Sequence, residues 1–124
     1  MRFLKVLVVI AVCVLGTSLI LSAGQNKYGV ADTRQLTFEN PMRVGDVLLP
    51  KGEYQVQHTM EGENHIMVFK QLRVSKPAEV HVKCQLVPLT AKADTTEKIY
   101  ILNALQEHVL QALIFRGDTS KHVF

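Results

Sequence analysis

Apolar and polar side chains alternate along most of the chain beyond residue 33, and this period of two constrains the fold more than any other feature. The clearest segment carries four residues on one face of an extended chain, namely Tyr54, Val56, His58 and Met60. Alternation is typical of half-buried β-strands, because successive side chains of a strand point to opposite faces of the sheet. Gly, Pro and Asn separate the alternating segments. The pattern predicts an all-β domain of about seven or eight short strands, an antiparallel sandwich or small, partly open barrel.

The segment 103–115 fits either a helix or a strand. Asn103 and Gln106 resemble a helix-capping pair, and several apolar residues that follow them match a helical spacing. Residues 109–115, however, form a dense apolar run that ends at Gly117, as a buried strand would. We expect a strand over this run.

The first 24 residues have the three parts of a secretory signal peptide. Arg2 and Lys5 form a basic start, residues 6–24 contain no charged side chain, and small residues precede Gln25. We expect cleavage after Gly24, which would give an exported protein, either secreted or periplasmic. The alternative is an uncleaved membrane anchor, because the uncharged run approaches the roughly 20 residues that a spanning helix needs.

The rest of the chain is expected to form a polar lead-in, residues 25–33, and one domain, residues 34–124. Without the two basic residues of the leader, twelve basic and eleven acidic residues remain, a net charge of +1. Nucleic acid is therefore not an expected partner, because it requires a strongly basic surface. The expected partners are an unknown protein or small molecule of the cell envelope, with membrane contact only through an uncleaved leader.

Motifs of common enzyme classes are missing from the sequence. It has no phosphate-binding loop, no dinucleotide-binding glycine motif and no H-E-x-x-H zinc motif. Ser75 and Ser120, the two serines beyond the leader, do not lie in a nucleophile-elbow motif. We therefore expect a non-enzymatic binding or structural protein.

One predicted hairpin repeats the pattern His-x-Met. His58 and Met60 precede the turn 61–64, and His65 and Met67 follow it. A turn of this length pairs His58 with Met67 and Met60 with His65, so all four side chains share one face. Imidazole and thioether groups suit copper, which is the one cofactor that the sequence suggests. The alternative function is therefore a periplasmic copper-binding protein. The competing interpretation is that these residues only fill a half-buried hairpin.

Cys84 is the one cysteine beyond the leader, because Cys13 lies within it. An internal disulfide is therefore excluded for the mature chain. The alternation of its segment places Cys84 on the apolar face, which predicts a buried and inert thiol. Two alternatives are an intermolecular disulfide, which would make a dimer, and a further metal ligand beside the hairpin.

Residues 38–54 read F-x-x-P-(apolar)-x-V-G-x-x-x-L-P-x-G-x-Y, and the chain ends with Ile114-Phe115-Arg116-Gly117 and a final Val123-Phe124. This pattern resembles a family of small exported bacterial proteins with a Leu-Pro-Ala-Gly-x-Tyr hallmark. Lys51 stands where Ala is usual in that hallmark. The resemblance implies an exported β-domain of uncharacterised function, favours a strand at 109–115, and carries over no catalytic residues.

Overall fold

The computed structural model describes residues 29–124, so the leader predicted for residues 1–24 lies outside the described range. All regular elements within that range are strands, which confirms the all-β prediction. They are β1 (Thr33–Phe38), β2 (Met42–Val44), β3 (Val47–Leu49), β4 (Gly52–Glu61), β5 (Asn64–Gln71), β6 (Glu79–Pro88), β7 (Glu97–Leu102), β8 (His108–Ile114) and β9 (Ser120–Val123). These nine described strands exceed the predicted number by one or two, and the short segments on either side of Gly45 pair with each other.

No helix that could cross a membrane occurs between residues 29 and 124.

The strands form one sheet that is not closed, in the order β1-β4-β5-β6-β9-β8-β2-β3, with β7 paired to β8 beside this path. Nearly all pairings are antiparallel, as predicted, and the short parallel pairing of β2 with β8 makes the sheet mixed. β6 holds the two halves together. It pairs with β5 through Cys84 and with β9 from Gln85 onwards. A strand that changes partners part-way along its length is how one chain turns the corner between two sheets.

The hairpin of β4 and β5 has the register that the sequence predicts. His58 lies opposite Met67, Met60 lies opposite His65, and Val56 lies opposite Phe69. The inner face of this hairpin is buried over most of its length, because only Met60, near the turn, is as much as 39% exposed. The hairpin therefore directs its histidines towards the interior of the domain.

The start of segment 103–115 forms a turn and not the helix that the sequence allowed as an alternative. The side-chain Oδ1 of Asn103 accepts hydrogen bonds from the backbone N–H groups of Leu105 and Glu107, both at 2.9 Å. Asn favours such turns because its side chain satisfies backbone donors locally. β8 begins directly after this turn, so the predicted strand is confirmed.

The core lies between the two halves of the sheet and is built from the inward positions of the alternating segments. Its largest fully buried side chains include Tyr54, Phe38, Phe69 and Leu113. Tyr54 donates its phenolic hydroxyl to the backbone oxygen of Pro50 at 2.6 Å. That bond satisfies the one polar atom of a side chain with no exposed surface, and it fastens the turn before β4 to the core.

Candidate metal centre

Three metal-ligating side chains meet inside the domain, each from a different strand. They are His58 on β4, Cys84 on β6 and His122 on β9. One ligand atom from each lies within 4.8 Å of the other two. The residues are 6%, 7% and 0% exposed, respectively. We call this cluster the inner trio.

The same alternation that builds the core brings the inner trio together. His58 follows the buried Tyr54 and Val56 at intervals of two, and Cys84 follows the buried Val80 at an interval of four. His122 likewise lies two residues after the buried Ser120. Each donor thus occupies an inward position of its strand, where an apolar side chain would be the ordinary choice.

The spacing of the donors fits a single small ion. Sγ of Cys84 lies 3.8 Å from Nδ1 of His122. Metal–sulfur and metal–nitrogen bonds of about 2.3 and 2.0–2.1 Å, at tetrahedral or trigonal angles, would separate these two atoms by roughly 3.5–3.8 Å. The ring centroids of His58 and His122 are 5.5 Å apart, with the planes tilted by 53°. The Cys84–His122 spacing is thus that of two ligands on one ion, and the third donor atom lies within 4.8 Å of both.

Burial holds both histidines of the trio in the neutral form that a metal ion requires. Burial, and to a smaller degree the neighbouring His58, lowers the pKa of His122 to about 4. Burial and the neighbouring His65 also lower the pKa of His58. Burial raises the pKa of the Cys84 thiol to about 11. At neutral pH the imidazoles can ligate at once, whereas the thiol must first lose its proton.

His122 keeps a buried polar atom that the described part of the chain does not satisfy. Its Nε2 is enclosed and has no hydrogen-bond partner among residues 29–124. Buried polar atoms are almost always paired, since leaving one unpaired costs about 1–3 kcal/mol. The unpaired atom is Nε2, whereas Nδ1 is the ring nitrogen that faces Cys84 in the trio.

An ion pair lies beside the trio. Arg34 donates to Asp118, whose side chain is 1% exposed, and the guanidinium also stands over the ring of Phe115 at 6.0 Å from its centroid. Phe115 in turn contacts His122 edge to face, with centroids 5.9 Å apart. Asp118 acts on His58 through its negative charge, and Arg34 acts on His122 through its positive charge. The pair therefore adds little net charge to the centre.

The four residues predicted from the hairpin separate into inner and outer positions. His58 belongs to the inner trio, and Met67, 1% exposed, lies opposite it in the core. His65 is half-buried, and its Nδ1 lies 3.0 Å from Nε2 of His58. Met60 is the most exposed of the four and lies opposite His65. The two histidine rings stack, with centroids 5.2 Å apart.

Two members of the trio were not identified as main metal ligands from the sequence. Cys84 is buried as predicted, but sequence reasoning placed it at the margin of a metal site, and it did not consider His122 as a ligand. Both residues have the inward parity of their strands, which is visible in the sequence. The adjacency of β4, β6 and β9 is not visible, because pairings between distant strands leave no local pattern.

The chain matches no protein-family model, no curated protein and no solved structure. The resemblance to the exported bacterial family accordingly stays a prediction, and so does a dimer through Cys84. The function of the centre is therefore inferred from the chemistry of its own residues.

Proposed function

We propose that the protein is an exported, non-enzymatic binding domain that holds one copper ion, as Cu(I), between His58, Cys84 and His122. The observation that carries this proposal is the meeting of three buried donor atoms within 4.8 Å of one another. Export rests on the leader predicted for residues 1–24, and the absence of enzyme motifs supports a binding role.

Charge balance favours Cu(I) over divalent ions. One thiolate and two neutral imidazoles carry a single negative charge, so Cu(I) forms a complex with no net charge. Zn(II) or Cu(II) would leave one positive charge in a site whose residues are almost fully enclosed, and burying an uncompensated charge is costly. Thiolate and thioether ligands are also the soft donors that Cu(I) prefers.

The number of available donors also favours copper over zinc. The trio offers three donors, and Met67 lies opposite His58 on the same inner face, where its sulfur is a candidate for a fourth, weaker contact. Structural zinc sites use four strong ligands. A set of three strong donors of which one is a thiolate suits copper better than structural zinc.

The test is an anaerobic titration of the apo domain with Cu(I), in competition with a coloured Cu(I) chelator. We expect one equivalent to bind, and we expect Cys84→Ser and His122→Ala each to weaken binding by about 100-fold or more. His81→Ala is the matched control, because His81 also lies on β6 but is exposed and contacts Glu79 at 3.1 Å. It should bind as the unchanged domain does.

X-ray absorption on the copper-loaded domain supplies a readout that does not depend on variant folding. One sulfur at about 2.3 Å and two nitrogens at about 2.0 Å are expected. Failure of the unchanged domain to take up Cu(I), or equal binding by Cys84→Ser, would remove the proposal. Preferential uptake of Zn(II) with the same ligands would replace copper by zinc.

A further inference from the structure

A cavity of about 390 Å³ adjoins the inner trio at the point where β6 changes partners. Its lining includes Cys84, His65 and Phe124. The exposed side chains of Lys83 and Gln85 also line it, so the cavity opens to solvent. It thus connects solvent with the strand position of Cys84, the one cysteine of the described chain.

His65 stands between this cavity and the inner trio. It lines the cavity, lies opposite Cys84 in the β5–β6 ladder, and contacts Nε2 of His58 through its Nδ1 at 3.0 Å. Directly opposite residues of neighbouring strands have Cβ atoms about 4.5–5.5 Å apart. On its other side, His65 lies opposite Met60, whose side chain is 39% exposed. His65 and Met60, which we call the outer pair, are therefore two copper-compatible donors at the solvent boundary.

The inner trio by itself gives an ion poor access. Its residues are at most 7% exposed, and a hydrated cation cannot lose all of its water in one step without a replacement ligand. A donor that faces solvent on one side and a trio member on the other removes this difficulty. His65 is such a donor, since it is half-buried and touches His58.

We propose that copper reaches and leaves the inner trio through this cavity, by ligand exchange at the outer pair, with His65 as the residue that passes the ion to His58. The inference rests on the proposed copper function and names its route and exchange residue. A volume of about 390 Å³ lies in the range of small-ligand sites, so we take the incoming Cu(I) to be a small complex.

The exchange involves no electron transfer. Cu(I) bonds to His65, assisted by the Met60 sulfur, as a ligand of the incoming complex departs into the cavity. The hydrogen bond between the two rings then opens, Cu(I) bonds to Nε2 of His58 in the tautomer that carries its proton on Nδ1, and the bond to His65 breaks. The Cys84 thiol bonds the ion as thiolate and releases its proton to water in the cavity, so Cu(I) and the thiol yield a copper thiolate and one proton.

The experiment compares rates with affinities. Loading from a Cu(I)–chelator complex, and release to an excess of that chelator, are followed by stopped flow while the equilibrium affinity is measured separately. For His65→Ala we expect loading and release each to slow by about tenfold, with the affinity unchanged within about threefold. Met60→Leu should slow both by a smaller factor, and His81→Ala should change neither.

Two further substitutions separate ligand exchange from a purely structural role of His65. His65→Met keeps a copper ligand but cannot replace the ring-to-ring hydrogen bond, and His65→Gln keeps a hydrogen-bonding group but is a poor Cu(I) ligand. Restoration of the rates by Met and not by Gln supports the proposal. The reverse result overturns it. Gln85→Trp, which narrows the cavity from an exposed strand position, should also slow loading.

Failure of the copper function and failure of the proposed route give different results. No copper uptake by the unchanged domain removes the copper function itself. Uptake with unchanged rates in His65→Ala leaves that function standing and overturns the route. A loss of affinity in His65→Ala as large as that in His58→Ala would also overturn it, because His65 would then be a holding ligand.

Discussion

Sγ of Cys84 lies 3.8 Å from Nδ1 of His122, although the two residues are 38 positions apart in the chain. β6 and β9 run side by side with Leu86 opposite His122, so the ladder places Cys84 two residues further along the same face. The contact joins a protonated thiol to a neutral imidazole, because burial raises the pKa of one and lowers that of the other. The proton on sulfur makes copper binding depend on pH.

Copper binding should release one proton per ion at neutral pH. The pKa of Cys84 is raised to about 11, so the free thiol is protonated throughout the neutral range and only the thiolate ligates. The apparent affinity should accordingly rise by about tenfold for each pH unit between about 7 and 9. Calorimetric titration in buffers of different ionisation enthalpy measures the proton count. Binding without proton release would show that Cys84 is not a ligand.

The metal-free domain should lose stability in mild acid because of His122. Its folded pKa of about 4 lies below the ordinary value of 6.5, so between these values the unfolded chain takes up a proton that the folded chain does not. The loss begins as the pH falls below about 6.5 and reaches about 3 kcal/mol near pH 4. The lowered pKa of His58 acts in the same direction.

Urea denaturation at a series of pH values measures this dependence. His122→Leu should flatten the slope between pH 6.5 and 4, whereas the exposed His81→Ala should leave it unchanged. An identical slope in His122→Leu and the unchanged domain would mean that other groups cause the acid instability.

Replacing one partner of the Arg34–Asp118 ion pair should destabilise the domain. Asp118 is 1% exposed, and burial already raises the pKa of its carboxyl despite the guanidinium. Arg34→Leu would leave a buried carboxylate with no opposite charge, only the backbone hydrogen bond from Ala31, and should lower the free energy of unfolding by about 3 kcal/mol. Glu53→Gln, which weakens the exposed ion pair with Arg73, should cost less than about 1 kcal/mol. Equal costs in the two variants would contradict this assignment.

Tyr54→Phe should destabilise the domain by about 1 kcal/mol, because it removes the hydrogen bond to the backbone oxygen of Pro50 and nothing else. Tyr100→Phe is the matched control. Because Tyr100 is 46% exposed, the change should stay within about 0.5 kcal/mol. Thermal melts of the two variants measure the difference, and a larger loss for Tyr100→Phe would refute the assignment.

Local patterns were enough to predict the strands and the register of the central hairpin. The pairings of His58 with Met67 and of Met60 with His65 follow from a four-residue turn and the period of two. The strand at β8 also followed from its apolar run, and the turn before it explains the helix-like signal, since Asn103 satisfies backbone donors in both settings.

The centre itself could not be predicted in full, because its donors lie on strands that meet only in three dimensions. His58 was found through the hairpin, which is a local unit. Cys84 and His122 required knowledge that β6 lies next to β9 and that β9 faces β4 across the interior. The exposure of Met60 was hidden for a different reason, since parity gives the face of a strand but not how far the core extends along it.

The change of partners along β6 has a mechanical consequence. Because one ten-residue strand is the seam of both halves, neither half can detach and keep its edge satisfied. Pulling or heating should therefore disrupt the described domain in a single event, and a protease that cuts within β6 should destroy both halves at once.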